Sequence, residues 1–423
     1  MANWIDGILG FAFYYPLFMA YLWIVGGSYY YWHWERKDRR GYENPPRLTK
    51  YPRVSIIVPC HNEGDNVADT LTALLNQAYP DFEIITVNDG SSDSTGTVLD
   101  VFAANHERVR VLHLAKNQGK AIAMRMGAML ADSEFLVCID GDALLDSNAV
   151  AWIMMHFVSG ARVGAVTGNP RIRTRSSLLG KIQVGEFSSI IGLTKRAQRI
   201  YGRIFTASGV VTGFRKRALH HVGYWSPDMI TDDIDISWKL QMNHWDIRFE
   251  PNALCWILMP ETLRGLWKQR LRWAQGGAEV LLKYFPDLWS WRKRRMWLVW
   301  FELLLSLFWA YVMTFVFILW ALGKVVALPE PWMIETLLPG WTGVMLGFTC
   351  LFQFAVSLAI DSRYEPNTGR YYYWVIWYPM AYWLINVCTV VVALPRTIIK
   401  HKGTRAVWIS PDRGINPERG ARP

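Results

Sequence analysis

Phe135-Leu136-Val137-Cys138-Ile139 is a short, partly β-branched apolar run that ends abruptly in Asp140-Gly141-Asp142. Such a run suits a buried strand better than a helix. In an open parallel sheet, ligands bind beyond the carboxyl ends of the strands. Two carboxylates there are hard oxygen donors that a divalent cation can bridge to a diphosphate. An Asp-Gly pair also ends strands with no further purpose, so the rest of the chain must decide. Thr231-Asp232-Asp233-Ile234-Asp235 crowds three carboxylates into five residues. Crowding raises the pKa of one of them and suits a general base that takes a proton from a hydroxyl. An acidic first helical turn would be favourable on its own account through the helix dipole.

Other polar clusters sit where strands should end. Pro59-Cys60-His61-Asn62-Glu63 closes one apolar run, and Asn88-Asp89-Gly90-Ser91-Ser92-Asp93 closes the next. In the second, Ser92 or Asp93 is a natural helix N-cap, which leaves Asp89 to accept hydrogen bonds from a base or sugar. Lys120, in Gln118-Gly119-Lys120-Ala121, has the wrong sign for a helix start, and a nearby diphosphate would explain it. In Gln269-Arg270-Leu271-Arg272-Trp273, the planar fork of Arg272 can pair with phosphates and Trp273 offers a face to a sugar ring. The same five residues also read as an amphipathic helix snorkelling its arginines at a membrane.

The elements that must position these residues follow from periodicity. Val54–Val58, Glu83–Val87, Val109–Leu112 and Phe135–Ile139 read as short buried strands. Helical patterns separate them at about Asp65–Ala78, Ser94–Asn105 and Lys120–Ala131. That alternation predicts a parallel sheet wound βαβ. No GxGxxG or Walker sequence follows the first strand, which removes the usual dinucleotide and P-loop readings. Arg171, Arg173 and Arg175 form an alternating basic strip that is either a solvated edge strand or a phosphate-facing one. Leu178–Tyr201, bearing Lys181, Lys195, Arg196 and Arg199, and Glu261–Tyr284 read as helices lying on a membrane surface.

The chain is 423 residues long, 52% hydrophobic, and carries 23 Trp and a net charge of +10. Ile8–Trp32 is uncharged and long enough to span a bilayer, with neither the basic start nor the cleavage site of a signal peptide. Arg36, Lys37, Arg39 and Arg40 then place the following segment inside and the amino terminus outside. Trp297–Gly323, Trp341–Ile360 and Tyr371–Leu394 are also long enough to cross, and Glu302 would reach the interface, pair with a basic neighbour or serve a partner helix. Three such crossings would leave the tail outside, yet it carries Arg396, Lys400, Lys402, Arg405 and Arg413, which the positive-inside rule wants in the cytosol. Either one run is re-entrant or interfacial, or the rule fails here. The five Cys form no CxxC pair and read as reduced, buried thiols in a cytosolic domain. The basic residues cluster beside apolar segments rather than in any nucleic-acid-binding pattern, so no nucleic acid partner is expected. The expected organisation is an anchor at 1–34, a linker at 35–50, an α/β domain at 51–260, interface helices at 261–295, spans at 296–395 and a basic tail at 396–423.

Six of these motifs, Pro59–Glu63, Asn88–Ser91, Gly119–Ala121, Asp140–Asp142, Thr231–Asp233 and Gln269–Trp273, resemble the family-2 inverting glycosyltransferases in their order along the chain, and in particular the processive, membrane-embedded branch. Longer stretches at Val166–Ser176, Ile182–Glu186, Cys255–Thr262 and Val407–Gly414 resemble the bacterial poly-β-1,6-N-acetyl-D-glucosamine synthases within it. The resemblance implies a GT-A type, mostly parallel α/β domain in the cytosol of a bacterial inner-membrane protein. By it, Glu63 and Asp89 would hold uridine, with Lys120 near the nucleotide, and Asp140 and Asp142 would bind the diphosphate through Mg²⁺ or Mn²⁺. Asp233 would be the base, Gln269 and Arg272 would hold the pyrophosphate side, and Trp273 would carry the acceptor. Asp232 departs from the family's usual Glu, which puts fine positioning in question. The amino terminus also departs, with one crossing where some relatives have two. A small two-helix membrane subunit and cyclic di-GMP enter by the same resemblance, the latter sought near Arg173 or Arg413. A chitin- or hyaluronan-type synthase shares the motifs. A transporter or nucleotide sensor with a dead transferase domain is opposed by the filled positions at Asp140, Asp142 and Asp233.

Overall fold

A computed structural model describes residues 4–38, 40–329, 332–334, 340–400, 403 and 405–406. Helix α1 (Trp4–Tyr30) runs on through a π-helical turn, Tyr31–Glu35, towards an α/β domain. That domain begins with β1 (Val54–Cys60), α2 (Val67–Leu75), β2 (Phe82–Asp89), α3 (Thr95–Asn105), β3 (Val109–Leu114), α4 (Lys120–Leu130) and β4 (Phe135–Ile139). It continues with β5 (Leu144–Leu145), α5 (Ala149–Ser159), β6 (Val163–Ile172), α6 (Leu178–Glu186), a π-helical stretch Phe187–Leu193 and α7 (Thr194–Tyr201). Then come β7 (Val211–Arg215), α8 (Lys216–His221), α9 (Asp232–Met242) and β8 (Asp246–Ile257). Helix α10 (Leu263–Leu288) and a 3-10 turn, Trp291–Met296, lead to α11 (Trp297–Gly323) and α12 (Trp341–Asp361). A second 3-10 turn (Thr368–Tyr371), α13 (Tyr372–Val375) and α14 (Tyr378–Ile399) close the described chain.

The eight strands form one sheet in the order β3-β2-β1-β4-β7-β6-β8-β5. Strands β3, β2, β1 and β4 are parallel, and β7 runs antiparallel to both β4 and β6. The chain builds outward from β1 through β2 to β3, then returns to the other side of β1 with β4. The switch point therefore lies between β1 and β4, where such sheets open a ligand crevice beyond the strand ends. Side chains on these strands alternate between two cores. Ile56, Val58, Ile84 and Val137 pack with Leu71, Leu74 and Trp152, while Ile57, Ile85, Val87 and Leu136 pack with Ala123 and Met124. Burial on both faces explains the nearly unbroken apolar runs, at about 1.5–3 kcal/mol for each large aliphatic side chain.

The four expected strands are all present, and β4 has its expected ends. Helix α2 is shorter than its pattern suggested, beginning only after the Glu63–Asn66 turn. Four helical segments, Ile5–Glu35, Trp291–Gly323, Trp341–Asp361 and Ala381–Ile399, are long and apolar enough to cross a membrane. The first three each bring one end to the α/β domain. Helix α14 bonds to it at both ends: Tyr378 donates to Glu186 (2.9 Å), and Lys400 donates to the Asp228 carbonyl (2.9 Å) and to Glu279 (2.8 Å). Between them it lies along α10.

The basic strip and the 178–201 helix differ from their surface readings. Arg171 pairs with Asp361 (2.5 Å) and Glu365 (2.9 Å), and Arg175 pairs with Glu365, so the strip reaches the end of α12 rather than a phosphate. Arg173 reaches Asp69 at 3.3 Å. Arg196 is bidentate on Glu35 (2.6 and 3.1 Å) and also touches Asp361 (3.1 Å). Arg199 bonds Asp246, and Lys195 is buried. Arg171, Arg175 and Arg196 are internal because Glu35, just past α1, and Asp361 and Glu365, at and beyond the end of α12, bring carboxylates to them from far along the chain. Glu302 accepts from Gln198 at 3.2 Å rather than reaching the interface. Cys60, Cys138 and Cys255 are buried free thiols, whereas Cys388 is exposed. Lys402, Arg413 and the stretch 407–414 lie outside the described residues.

Candidate active site

Four strand ends converge on the switch-point crevice. Gly141 sits where an added Cβ would lie 3.1 Å from Cys60 Sγ, 3.2 Å from the Pro59 carbonyl and 3.3 Å from Glu63 Cγ. A side chain there would be tight against the end of β1, so glycine lets the Asp140–Asp142 turn close onto it without displacing these neighbours. Thr70 fastens the turn by donating to the Gly141 carbonyl (3.0 Å). Glu63 and Asp142 are both buried at this junction. Because β7 is antiparallel to β4, its start lies beside β4's end, with Val211 opposite Ile139. That brings the Ser208–Gly209 loop to the crevice.

Lys120, the first residue of α4, donates to Asp140 Oδ1 (2.5 Å) and to the Gly209 carbonyl (3.1 Å). Burial opposes its charge, but Asp140, Asp232 and Asp233 together hold its pKa above the ordinary value. The Gly209 N–H in turn donates to Asp233 Oδ2 (3.2 Å), while Asp233 Oδ1 accepts from the Ile234 N–H (2.9 Å). The backbone of one residue, Gly209, thus ties Lys120 and its partner Asp140 to Asp233. Burial pushes Asp232 up to about 6, with Lys120 opposing and Asp233 and Asp140 reinforcing the rise. Asp235 faces the other way: despite burial, Lys239, Lys283 and Tyr284 keep it below the usual carboxylate range. It joins α9 to α10 through Lys283 (2.8 Å) and Tyr284 (2.6 Å).

Helix α10 approaches through Gly276, where a Cβ would stand 1.9 Å from Thr231 Oγ1. This close crossing brings Arg272, one turn earlier, into the same cavity as Lys120 and Asp232. The cavity measures about 340 Å³, and Gln118, Lys400 and Arg405 also line it. Gln269 Nε2 lies 3.6 Å from Met259 Sδ. Trp273 is half-buried against the main core, with the Arg270 guanidinium 4.3 Å from its ring centroid. Arg270 is itself held by Glu186 at 2.7 Å. One face of the Trp273 ring is therefore engaged by a cation.

Asp89 departs from expectation. It is fully buried, and its two carboxylate oxygens accept from the Gln118 N–H (2.7 Å) and the Gly119 N–H (2.8 Å). It shapes the loop before α4 instead of lying open to a base. The expected cap is shared differently as well: Ser94 occupies the N-cap position, while Asp93 accepts from the Thr95 N–H (3.0 Å). The described part of the tail also reaches the crevice, a contact that the sequence reading did not anticipate. Arg405 donates to Gln118 (2.8 Å), the Ala406 N–H donates to the Pro227 carbonyl (2.9 Å), and the Ala406 carbonyl stands 2.5 Å from where a Cβ on Gly119 would be.

Asp140 and Asp142 are hard oxygen donors suited to a divalent cation, and the Asp232 Oδ2 atom is buried without a hydrogen-bond partner among the described residues. Among those residues no group of three or more His, Cys, Asp or Glu forms a ready metal cluster. The donor set fits a divalent cation, whose coordination phosphate oxygens would complete.

Residues 52–276 match the family described as "Glycosyltransferase like family 2". A poly-beta-1,6-N-acetyl-D-glucosamine synthase of Staphylococcus epidermidis is 41% identical over 411 residues, covering 96% of this chain and 98% of that protein. A protein of the same name from Staphylococcus aureus is 40% identical over 404 residues, with the same coverage. Among solved structures, a mannosyltransferase of Pyrobaculum calidifontis in complex with GDP-Man and Mn²⁺ superposes with a TM-score of 0.61 at 20% identity, covering 93% of this chain and 99% of that one. The fold is thus GT-A-like, and the chain belongs to the family-2 glycosyltransferases as a hexosyltransferase.

Proposed function

We propose that this chain polymerises N-acetylglucosamine from UDP-N-acetylglucosamine into a β-1,6-linked biofilm polysaccharide, processively and with inversion. Relatives at about 40% identity over 96% of the chain, all bearing that synthase name, carry this reading. The gathering of Lys120, Asp140, Asp233 and Arg272 around one crevice supports it chemically.

In this reading Glu63 and Asp89 frame the uridine, Asp89 by holding the Gln118–Gly119 loop. Lys120 fixes Asp140, and Asp140 with Asp142 would hold Mg²⁺ or Mn²⁺. Such a cation supplies charge neutralisation for the leaving diphosphate. Gln269 and Arg272 pair with the pyrophosphate, Arg272 as a planar fork. Trp273 carries the acceptor sugar. The acceptor 6-hydroxyl oxygen attacks the anomeric carbon opposite UDP, its proton passes to Asp233, and the bond to UDP breaks with its electrons on the diphosphate oxygen. The α-linked donor becomes a β-linkage.

The bonds at both ends of α14 support a tail on the side of the α/β domain, with α14 re-entrant or lying at the interface. Helices α1, α11 and α12 are then the crossings, the amino terminus is outside, and Arg36, Lys37, Arg396 and Lys400 share the cytosolic side that positive residues favour. In this reading the catalytic domain faces the cytosol of a bacterial inner membrane, with the polymer exported as it grows. A small two-helix subunit and cyclic di-GMP belong to the reading through the resemblance alone.

Membranes carrying the chain, supplied with UDP-N-acetylglucosamine and Mg²⁺, test the proposal. The product should be digested by a β-1,6-specific hexosaminidase. Polymer that resists it and yields to chitinase would overturn the linkage.

A further inference from the structure

Lys195 carries an ammonium that the proposed mechanism does not use. It is 5% exposed, lies 5.9 Å from the Phe249 ring centroid, and has no ion-pair partner among the described residues. Its Nζ donates to Thr167 Oγ1 at 3.1 Å. The same Thr167 oxygen accepts the Ser208 N–H at 2.8 Å. The next residue, Gly209, offers its N–H to Asp233 (3.2 Å) and its carbonyl to Lys120 (3.1 Å). An added Cβ on Gly209 would lie 3.2 Å from Asp233 Oδ2, so the loop and the carboxylate are in direct contact.

Isolated buried ammonium groups are costly, and an apolar side chain of similar length would fill the space without that cost. Burial pulls the Lys195 pKa down to about 7, with Asp233 acting in the opposite direction. Asp233 is the acidic group whose field reaches this ammonium. Thr167 is likewise buried, on β6, opposite Thr212 of β7. Both lone pairs of its oxygen are taken by the two donors, so removing one donor frees the other to shift.

We propose that Lys195 is a positioning residue for Asp233, acting through Thr167 to fix the Ser208–Gly209 loop whose N–H orients the carboxylate. The inference rests on Asp233 being the base. A small displacement of a positioned catalytic group can cost about 10²-fold in rate.

The test compares Lys195→Met, Thr167→Val, their double variant and Thr167→Ser in the polymer assay, in full-length protein in membranes. The rate per chain, the donor KM and UDP affinity are read for each. Lys195→Met and Thr167→Val should each lose about tenfold or more in maximal rate, with donor KM and UDP affinity within about threefold of wild type. The double variant should be no more than about twofold below the weaker single, because both act on one loop. Thr167→Ser, which keeps the oxygen, should retain most of the rate. A wild-type rate in Lys195→Met, a loss carried by KM, or multiplying losses in the double variant would each overturn the proposal. If Lys195→Met does not fold, a Thr167→Val rate equal to that of Thr167→Ser overturns it, and a selective loss in Thr167→Val supports it. An active Asp233→Asn would instead refute the base assignment on which the inference stands.

Discussion

Replacing Arg196 with Met should damage the joint between the membrane helices and the α/β domain in a measurable way. The Arg196 side chain is 1% exposed, and its partners Glu35 and Asp361 are 4% and 0% exposed. Glu35 also accepts from Tyr364 (2.5 Å), and Asp361 from Arg171 (2.5 Å). Within the cluster, Arg171, Arg175 and Arg196 balance Glu35, Asp361 and Glu365. Methionine fills much of the volume but leaves one carboxylate buried without its cation, a change that costs about 3–5 kcal/mol. At roughly 2–4 °C per kcal/mol, the unfolding midpoint followed by intrinsic Trp fluorescence in detergent should fall by about 6–20 °C. The double variant Arg196→Met/Glu35→Gln restores neutrality and should recover more than half of that loss. Arg196→Lys should fall between, since an ammonium cannot reproduce the bidentate contact. A midpoint for Arg196→Met within about 1 °C of wild type, or a double variant less stable than the single, would refute the account of this joint.

Two further outcomes follow from the crevice itself. Gly119 has φ +93° and lies against the Ala406 carbonyl, so Gly119→Ala should cost about 1–3 kcal/mol in backbone strain and detach the tail. Faster hydrogen exchange at the Ala406 amide, which is bonded to Pro227, would report it, and unchanged exchange would count against the tail's placement. Folded Asp232 keeps its proton up to about 6 against an ordinary 3.8, so the folded state binds more protons between those values and stability falls as pH rises through them. In chelator, Asp232→Asn should therefore raise the unfolding midpoint at pH 7.5 and leave it unchanged near pH 3.5. A lower midpoint at pH 7.5 would contradict the burial argument.

Much of the sheet was legible because period and length are local properties. Phe135–Ile139 is apolar, short and bounded, and it is β4 from end to end. Lys120 stood out because a cation at a helix start is out of place, and the partner beside it proves to be Asp140 at 2.5 Å. What stayed hidden depended on partners distant in sequence. Arg171 reads as solvated until Asp361, 190 residues away, is brought to it. Lys195 sits on a stretch whose charges suggest a membrane surface, and only the packing of α7 on β6 and β8 turns it inward. Asp89 resembles an open acceptor because no sequence pattern shows that the backbone of Gln118 and Gly119 will fold over it. Counting crossings left the tail's side open, and the end contacts of α14 are invisible to hydropathy.

The most direct test is polymer formation by Asp233→Asn beside wild type, with UDP affinity measured on the same membranes. Asparagine keeps the shape and can accept the Gly209 N–H, but it cannot take the hydroxyl proton. The account predicts bound UDP at wild-type affinity and polymer synthesis reduced by at least about 10²-fold. Polymer made at a rate near wild type would contradict Asp233 as the base and, with it, the proposed mechanism.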